Sequence, residues 1–214
     1  MEITISGENI LLGSDKYIYL SKYKCIIISD LHVGKITHFR KHGIAVPINS
    51  AFEDLKRLQL LLNSFDIDHC VFLGDLFHSD LNQFWFEFVK CIAPYTHIQF
   101  ILVKGNHDIM DNKIYEEARL KVLNEILFGN ILFTHEKSTQ SEHYNIYGHL
   151  HPGVVLKGKA RQSLRLPCFF FGDREGILPA FGSFTGLFII EPNKKDMIYI
   201  LVNQKIIKWS DNSQ

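Results

Sequence analysis

The sequence predicts an α+β (α/β) fold: two packed β-sheets with helices outside. Three observations carry this. Up to about residue 124, short apolar runs alternate with segments of helical periodicity. From residue 125 onward, strand follows strand with little helical patterning between. Five apolar runs distributed over both halves end in Asp, Asn or His. A buried strand that ends this way presents a polar side chain at its carboxyl end, where open α/β sheets place their ligands.

The elements follow in order. Ile3 to Ile5, Tyr17 to Leu20 and Cys25 to Ser29 read as strands, separated by the turn signals Gly13-Ser14-Asp15 and Ser21-Lys22. A polar, basic segment from Gly34 to Gly43 reads as a short helix. Pro47 and Asn49 open a longer one whose Phe52, Leu55, Leu58, Leu61 and Leu62 recur at helical spacing. Cys70 to Leu73 is a buried strand, and Ser79-Asp80 is expected to cap a helix over about 81–91. His97 to Val103 is the next strand, and Lys113 to Leu123 reads as a polar helix. Strands are then expected at 126–128, 131–134, 144–147, 154–156, 168–171, 177–180, 187–190, 198–202 and 205–208. No Pro/Gly/Ser linker separates the halves and the polar strand ends come from both, so one domain over residues 1–214 is expected.

Composition narrows the function classes. The 214 residues carry equal numbers of acidic and basic side chains, so no overall basic field holds the chain on nucleic acid or an acidic membrane. Any attraction for phosphate must be local. No run approaches the roughly 18 apolar residues of a membrane span, and the N-terminus has no basic start and long apolar core, so a cytoplasmic location is expected. Cys25, Cys70, Cys91 and Cys168 are widely spaced, and they read as buried free thiols rather than zinc ligands.

The strand ends carry the chemistry. Ile26-Ile28 leads to Asp30 and His32, and Cys70-Leu73 leads to Gly74 and Asp75. Phe100-Val103 leads to Gly105-Asn106-His107-Asp108, Ile131-Phe133 to His135, and Ile146-Tyr147 to Gly148-His149-Leu150-His151. Asp30, His32, Asp75, Asn106, His135, His149 and His151 make seven candidate metal ligands. That exceeds the four of a tetrahedral zinc and fits two metals sharing a bridging carboxylate. Two ions roughly 3.5–4 Å apart clamp the attacking and leaving oxygens of phosphoryl transfer. Two divalent ions, two carboxylates and a bridging hydroxide leave a residual charge of about +1, enough to attract a phosphodiester to a neutral protein. Imidazole with carboxylate suits manganese, iron, zinc or nickel. His107 is placed to act as general acid for the leaving alkoxide, and Asp108 or His78 to orient it or the substrate. Local basic residues lie beside these motifs: Lys35, Arg40 and Lys41 after the first, and Lys157, Lys159, Arg161 and Arg165 after the last.

The order Asp-x-His, Gly-Asp, Gly-Asn-His-Asp, His, Gly-His-x-His resembles the calcineurin-like metallophosphoesterase superfamily over residues 30–151. The strings DLHVGKITHFRKHGIAVP, GDLFHS, KGNHD, GHLHPGV, RLPCFFF and LPAFGSFTG are similar to the bacterial ligase-associated DNA-damage-response metallophosphoesterases, described as endonucleases. The resemblance implies a four-layer αββα sandwich of two mixed β-sheets flanked by helices. It implies Asp30, His32 and His151 on one metal, Asn106, His135 and His149 on the other, Asp75 as bridge and His107 as catalytic histidine. Two divalent ions, manganese first among them, would serve as cofactors. DNA would be the substrate, cut in a repair context beside a DNA ligase and a helicase; the alternative is a phosphoesterase for nucleotides, cyclic dinucleotides or other small esters. Two departures stand out. His78 replaces the second carboxylate many superfamily members carry, matching the double-strand-break-repair nuclease branch. Lys104 stands where the narrower family has Arg, keeping charge but losing a bidentate fork. Lys35, Arg40, Lys104 and Arg161 are the expected substrate contacts.

Overall fold

The computed structural model describes residues 1–35, 49–77, 81–158 and 162–209. Among these, the first half runs β1 (Glu2–Ile5), β2 (Glu8–Gly13), β3 (Tyr17–Leu20), β4 (Cys25–Ser29), α1 (Asn49–Leu62), β5 (His69–Leu73), α2 (Gln83–Ile92), β6 (Gln99–Val103), α3 (Asn112–Glu117) and β7 (Leu120–Leu123). Its strands form one sheet in chain order, β1 to β7. The first four strands pair antiparallel as a meander, and β4 to β7 pair parallel with a helix between successive members. A parallel connection needs such a crossover.

The second half supplies β8 (Glu125–Phe128), β9 (Ile131–Thr134), β10 (Tyr144–Tyr147), β11 (Pro152–Lys157), β12 (Ser163–Phe171), β13 (Glu175–Ile177), β14 (Phe188–Ile189), β15 (Met197–Val202) and β16 (Lys205–Lys208). They make a second mixed sheet in the order β14-β11-β12-β13-β10-β9-β8, with β15 and β16 joined through β12. The expected two-sheet sandwich with mixed strand directions is present.

Period-2 alternation sorts the side chains between layers. On β4, β5 and β6 the residues Ile26, Ile28, Cys70, Phe72, Phe100 and Leu102 face a cluster shared with α1, α2 and α3 through Leu58, Phe88 and Tyr115. Their alternates Ile27, Val71, Leu73, Ile101 and Val103 face Phe133, Ile146, Phe169 and Phe171 of the second sheet. The parallel strands are therefore apolar on both faces, as strands buried on both sides must be. On β12 the other set, Cys168 and Phe170, faces an outer cluster completed by Ile190 and Trp209. Phe72, Phe100, Phe133 and Phe171 are each at most 1% exposed, and truncating one such phenylalanine to alanine costs about 3–5 kcal/mol.

Three local expectations change. The segment read as a helix from Lys113 to Leu123 divides: α3 ends at Glu117, Arg119 turns the chain at φ 66°, and Leu120–Leu123 joins β6 as the last parallel strand. The cap of α2 is Asn82, whose side chain accepts from Phe84 N at 2.9 Å; Ser79 and Asp80 lie outside the described residues, as does most of the helix expected over Gly34 to Gly43. β2 was not expected at all, and its buried Glu8 pairs with Lys22 at 3.3 Å. All four cysteines are buried and free, and burial pushes the Cys91 and Cys168 thiols up to about 12. None of the described helices is long and apolar enough to cross a membrane.

Candidate metal centre

Five strands end on one spot. β4, β5 and β6 stop side by side in parallel register, and β9 and β10 do the same in the facing sheet. The segment after β13 joins the two sheets at this end: Leu178 N extends the pairing with β10 by donating to the Tyr147 carbonyl at 2.8 Å, then Ala180 bridges Ser29 of the first sheet and Phe181 N donates to the Ser29 carbonyl at 2.7 Å. Past the strand ends the parallel ladder continues irregularly, with Asp30 N donating to Gly74 O and His32 N to Asp75 O.

Immediately after these strands the backbone turns into left-handed space. Asp30, His32, Asp75, His149 and His151 all have φ between 48° and 63°. Non-glycine residues are uncommon there, though Asp and His are enriched among them. Each such residue costs on the order of 1–2 kcal/mol, so this geometry persists because its surroundings hold it. Sequence patterning gave no hint of it. Gly74, at φ 74°, precedes Asp75 for a second reason: a Cβ there would lie 2.0 Å from His135 Nδ1.

The side chains form two groups. Donor atoms of Asp30, His32 and His151 lie within 4.8 Å of one another, and so do those of Asp75, His135 and His149. Asn106 joins the second group, its Oδ1 2.9 Å from His135 Nε2. Asp75 stands between them. One oxygen lies 3.4 Å from His135 Nε2 and the other 3.9 Å from His32 Nε2. The Asp30 carboxylate is fixed by His149 N, which donates to Oδ2 at 3.0 Å. His135 Nδ1 lies 3.3 Å from the Leu73 carbonyl. The tautomer that donates there leaves Nε2 bare toward Asp75 and Asn106, which is how a metal-binding imidazole is commonly oriented.

These residues fit divalent cations. Asp30 Oδ1 and His151 Nε2 are buried and make no hydrogen bond among the described residues, yet they face each other at 3.3 Å. A buried carboxylate oxygen without a donor is costly. Asp30 and Asp75 are 0% and 2% exposed and share one small volume, so two like charges are concentrated there. A cation between carboxylate and imidazole answers both problems, and the oxygen–nitrogen donor set suits a borderline or moderately hard metal.

The surrounding expectations divide. His107 is exposed at the mouth of the centre, its main-chain N–H donating to Asp75 Oδ1 at 2.9 Å and its ring 6.0 Å from that of His32. Lys35 is half-buried and feels the charges of Asp75 and Asp30; burial nonetheless dominates and lowers its pKa. Asp108 turns inward. Its two oxygens accept from Phe77 N at 3.1 Å and Gly105 N at 2.9 Å, fastening the Gly105–Asp108 turn to the one after β5, and burial pushes its pKa up to about 6. Lys104 points to the start of α3, donating to Asn112 Oδ1 at 2.8 Å. His78, Arg40 and Arg161 lie outside the described residues.

One cluster next to the centre had no sequence reading: Asp54 and Arg57 on α1 with Ser183. Asp54 is 7% exposed and its oxygens accept from Ser183 N, Ser183 Oγ and Arg57. Its one available signal was an acid at a buried position of an amphipathic helix, three residues before an arginine.

A family model described as calcineurin-like phosphoesterase matches residues 23–194. Among solved structures the chain is similar to the nuclease MPE of Pseudomonas putida, 24% identical, covering 98% of this chain and 99% of that one with a TM-score of 0.81. That likeness is one of fold. A predicted phosphoesterase of Streptococcus pneumoniae is 12% identical over 86% of this chain and 95% of its own, at a TM-score of 0.37 too low to carry an argument. Comparison with curated proteins finds no significant match.

Proposed function

The chain belongs to the calcineurin-like phosphoesterase family, a family of metal-dependent hydrolases, and from that premise we propose that it is a two-metal phosphodiesterase that cuts DNA. The observation that carries this reading is Asp75, with one oxygen toward the His135 group and the other toward His32. Asp30, His32 and His151 would hold one ion and Asn106, His135 and His149 the other, with Asp75 reaching both. Manganese is the expected metal, with iron, zinc or nickel as alternatives. When bound, such ions supply Lewis acidity toward the phosphoryl oxygens and toward water.

The chain's own residues do the rest. His107, pinned through its amide to Asp75, stands at the open face as the general acid. As water's oxygen bonds to phosphorus, its surplus proton passing to solvent, the ester P–O bond breaks and the His107 imidazolium gives its proton to the leaving oxygen. Lys35 offers an ammonium to the non-bridging oxygens from the rim. Asp108 keeps the histidine turn in place, since its carboxylate is fully engaged by main-chain amides.

DNA is favoured over small esters by the fold likeness to a nuclease along nearly the whole chain. The motif resemblance to ligase-associated repair endonucleases further supports a cytoplasmic, single-domain repair enzyme working beside a DNA ligase and a helicase. The neutral net charge makes phosphate attraction local, to the centre and to cations beside it such as Lys35, which is also what an enzyme for nucleotides or cyclic dinucleotides would have. The test compares manganese-loaded protein on a chromogenic phosphodiester, a monoester and defined DNA structures. Cleavage of DNA that weakens steeply with salt supports the proposal. Salt-insensitive turnover of small diesters with no DNA cleavage gives the site to small phosphoesters.

A further inference from the structure

The metal centre rests on a polar latch formed by residues far apart in the sequence. Asp54 on α1 accepts from Ser183 N at 2.9 Å through Oδ2, and from Ser183 Oγ at 2.6 Å and Arg57 Nη1 at 2.7 Å through Oδ1. Arg57 continues from there: Nη2 donates to the Phe181 carbonyl at 3.0 Å, and the guanidinium lies 4.3 Å from the centre of the Phe181 ring. Residues 181–183 are thus gripped from the helix side. Their other side lies on the first ligand turn, where Phe181 N donates to Ser29 O at 2.7 Å and Gly182 N to Asp30 O at 3.1 Å. The contact is close enough that a Cβ on Gly182 would stand 2.5 Å from the Leu31 carbonyl oxygen. Asp54 also lines a cavity of about 20 Å³ with His32, Lys35 and Phe184.

We infer that Asp54, Arg57 and Ser183 are positioning residues for the Asp30–His32 turn and so set the metal affinity of the first ligand group; the inference rests on the two-metal reading above. Asp30 has φ 51° and His32 φ 50°, conformations that relax unless held. The Asp30 carbonyl has its restraint in Gly182 N, and Gly182 is held in turn by a charge-assisted grip, the stronger kind of hydrogen bond. The second group stands on β5, β6, β9 and β10 and shares no hydrogen bond with the latch among the described residues. Among these it meets the latch only through the Asp30–His32 turn, by His149 N to Asp30 Oδ2 and His32 N to Asp75 O, so loosening the latch weakens the first site more than the second.

The test is a manganese titration of the full chain, followed by calorimetry and by the electron paramagnetic resonance signal of free ion, for the wild type, Asp54→Asn, Arg57→Lys and Ser183→Ala. Asp54→Asn keeps the shape but removes the charge that holds Arg57. The expected result is two ions per chain throughout, with one bound about 10–100-fold more weakly in Asp54→Asn, the usual cost of losing a group that orients a metal ligand, and the other, which shares Asp75, weakened distinctly less. Arg57→Lys keeps charge but not the two-way fork, and falls between. Should Asp54→Asn fail to fold, Ser183→Ala decides, because it loses the hydroxyl contact while keeping the amide one; its weaker first site supports the inference and wild-type binding overturns it. Equal weakening of both ions, or no change in either, overturns the latch while leaving the two-metal reading intact. Fewer than two ions on the wild type removes both.

Discussion

Gly74→Ala is the sharpest small perturbation of this centre. The added Cβ would stand 2.0 Å from His135 Nδ1, 2.3 Å from its Cγ and 2.7 Å from its Cβ, against about 3.5 Å for unstrained contact. The imidazole must therefore retreat by about 1 Å or more. It cannot do so without moving Nε2 away from Asn106 Oδ1 and Asp75 Oδ1, now 2.9 and 3.4 Å distant. A displacement of about 1 Å in a catalytic constellation costs on the order of 100-fold in rate. Left-handed φ at residue 74 adds about 1–2 kcal/mol of strain for an alanine, or roughly 2–8 °C in melting temperature for a chain of this size. Hydrolysis of a chromogenic phosphodiester with manganese, beside a thermal melt, measures both. A variant that keeps wild-type turnover while melting lower would refute the assignment of His135 to the centre, since the strain would be felt and the chemistry would not.

Other perturbations separate the remaining roles. His107→Ala should abolish turnover while bound metal stays at the wild-type level; loss of both together would make His107 a ligand rather than an acid. Lys35→Ala should raise KM for DNA several-fold with little change in metal content, and an unchanged KM would place the ammonium outside the substrate path. Lys16 tests the electrostatics of the α1 region. Burial first, then Arg57, push its pKa down to about 8, with Asp54 opposing. Below pH 8 the ammonium is charged folded and unfolded, and folding carries its burial cost. Between about 8 and the ~10.4 of a free lysine the folded state has released the proton that the unfolded chain retains, so stability rises with pH across that window. Lys16→Met should therefore be more stable than wild type at pH 7, by on the order of 1–2 kcal/mol after allowance for solvent screening, with the gap closing toward pH 10. Urea melts at the two pH values show it, and a variant less stable at pH 7 contradicts the sign.

The ligand positions were legible because each follows directly on a short apolar run, and the runs are the parallel strands whose carboxyl ends meet. Asp30, Asp75 and His135 needed only that rule. What was hidden depends on contacts between distant residues or on backbone angles. Asp54 meets Ser183 across 129 residues, and neither residue differs by type from ordinary polar surface. At Asp30, His32, Asp75, His149 and His151 the left-handed residue is not itself a glycine, so its type does not announce the conformation. Leu120–Leu123 read as the end of a helix because nothing in the composition marks Arg119 as a left-handed stop, and pairing with β6 then outweighed local propensity. Asp108 was expected to orient His107 or the substrate; what the sequence did not show is that its carboxylate acts through the main chain, on the amides of Gly105 and Phe77.

Whether two ions share Asp75 is decided by anomalous diffraction from manganese-loaded crystals. Two peaks roughly 3.5–4 Å apart are expected. One should lie against Asp30, His32 and His151 and the other against Asn106, His135 and His149, with an Asp75 oxygen in reach of each. A single peak, or two peaks with Asp75 bound to neither or to one alone, would contradict a shared Asp75.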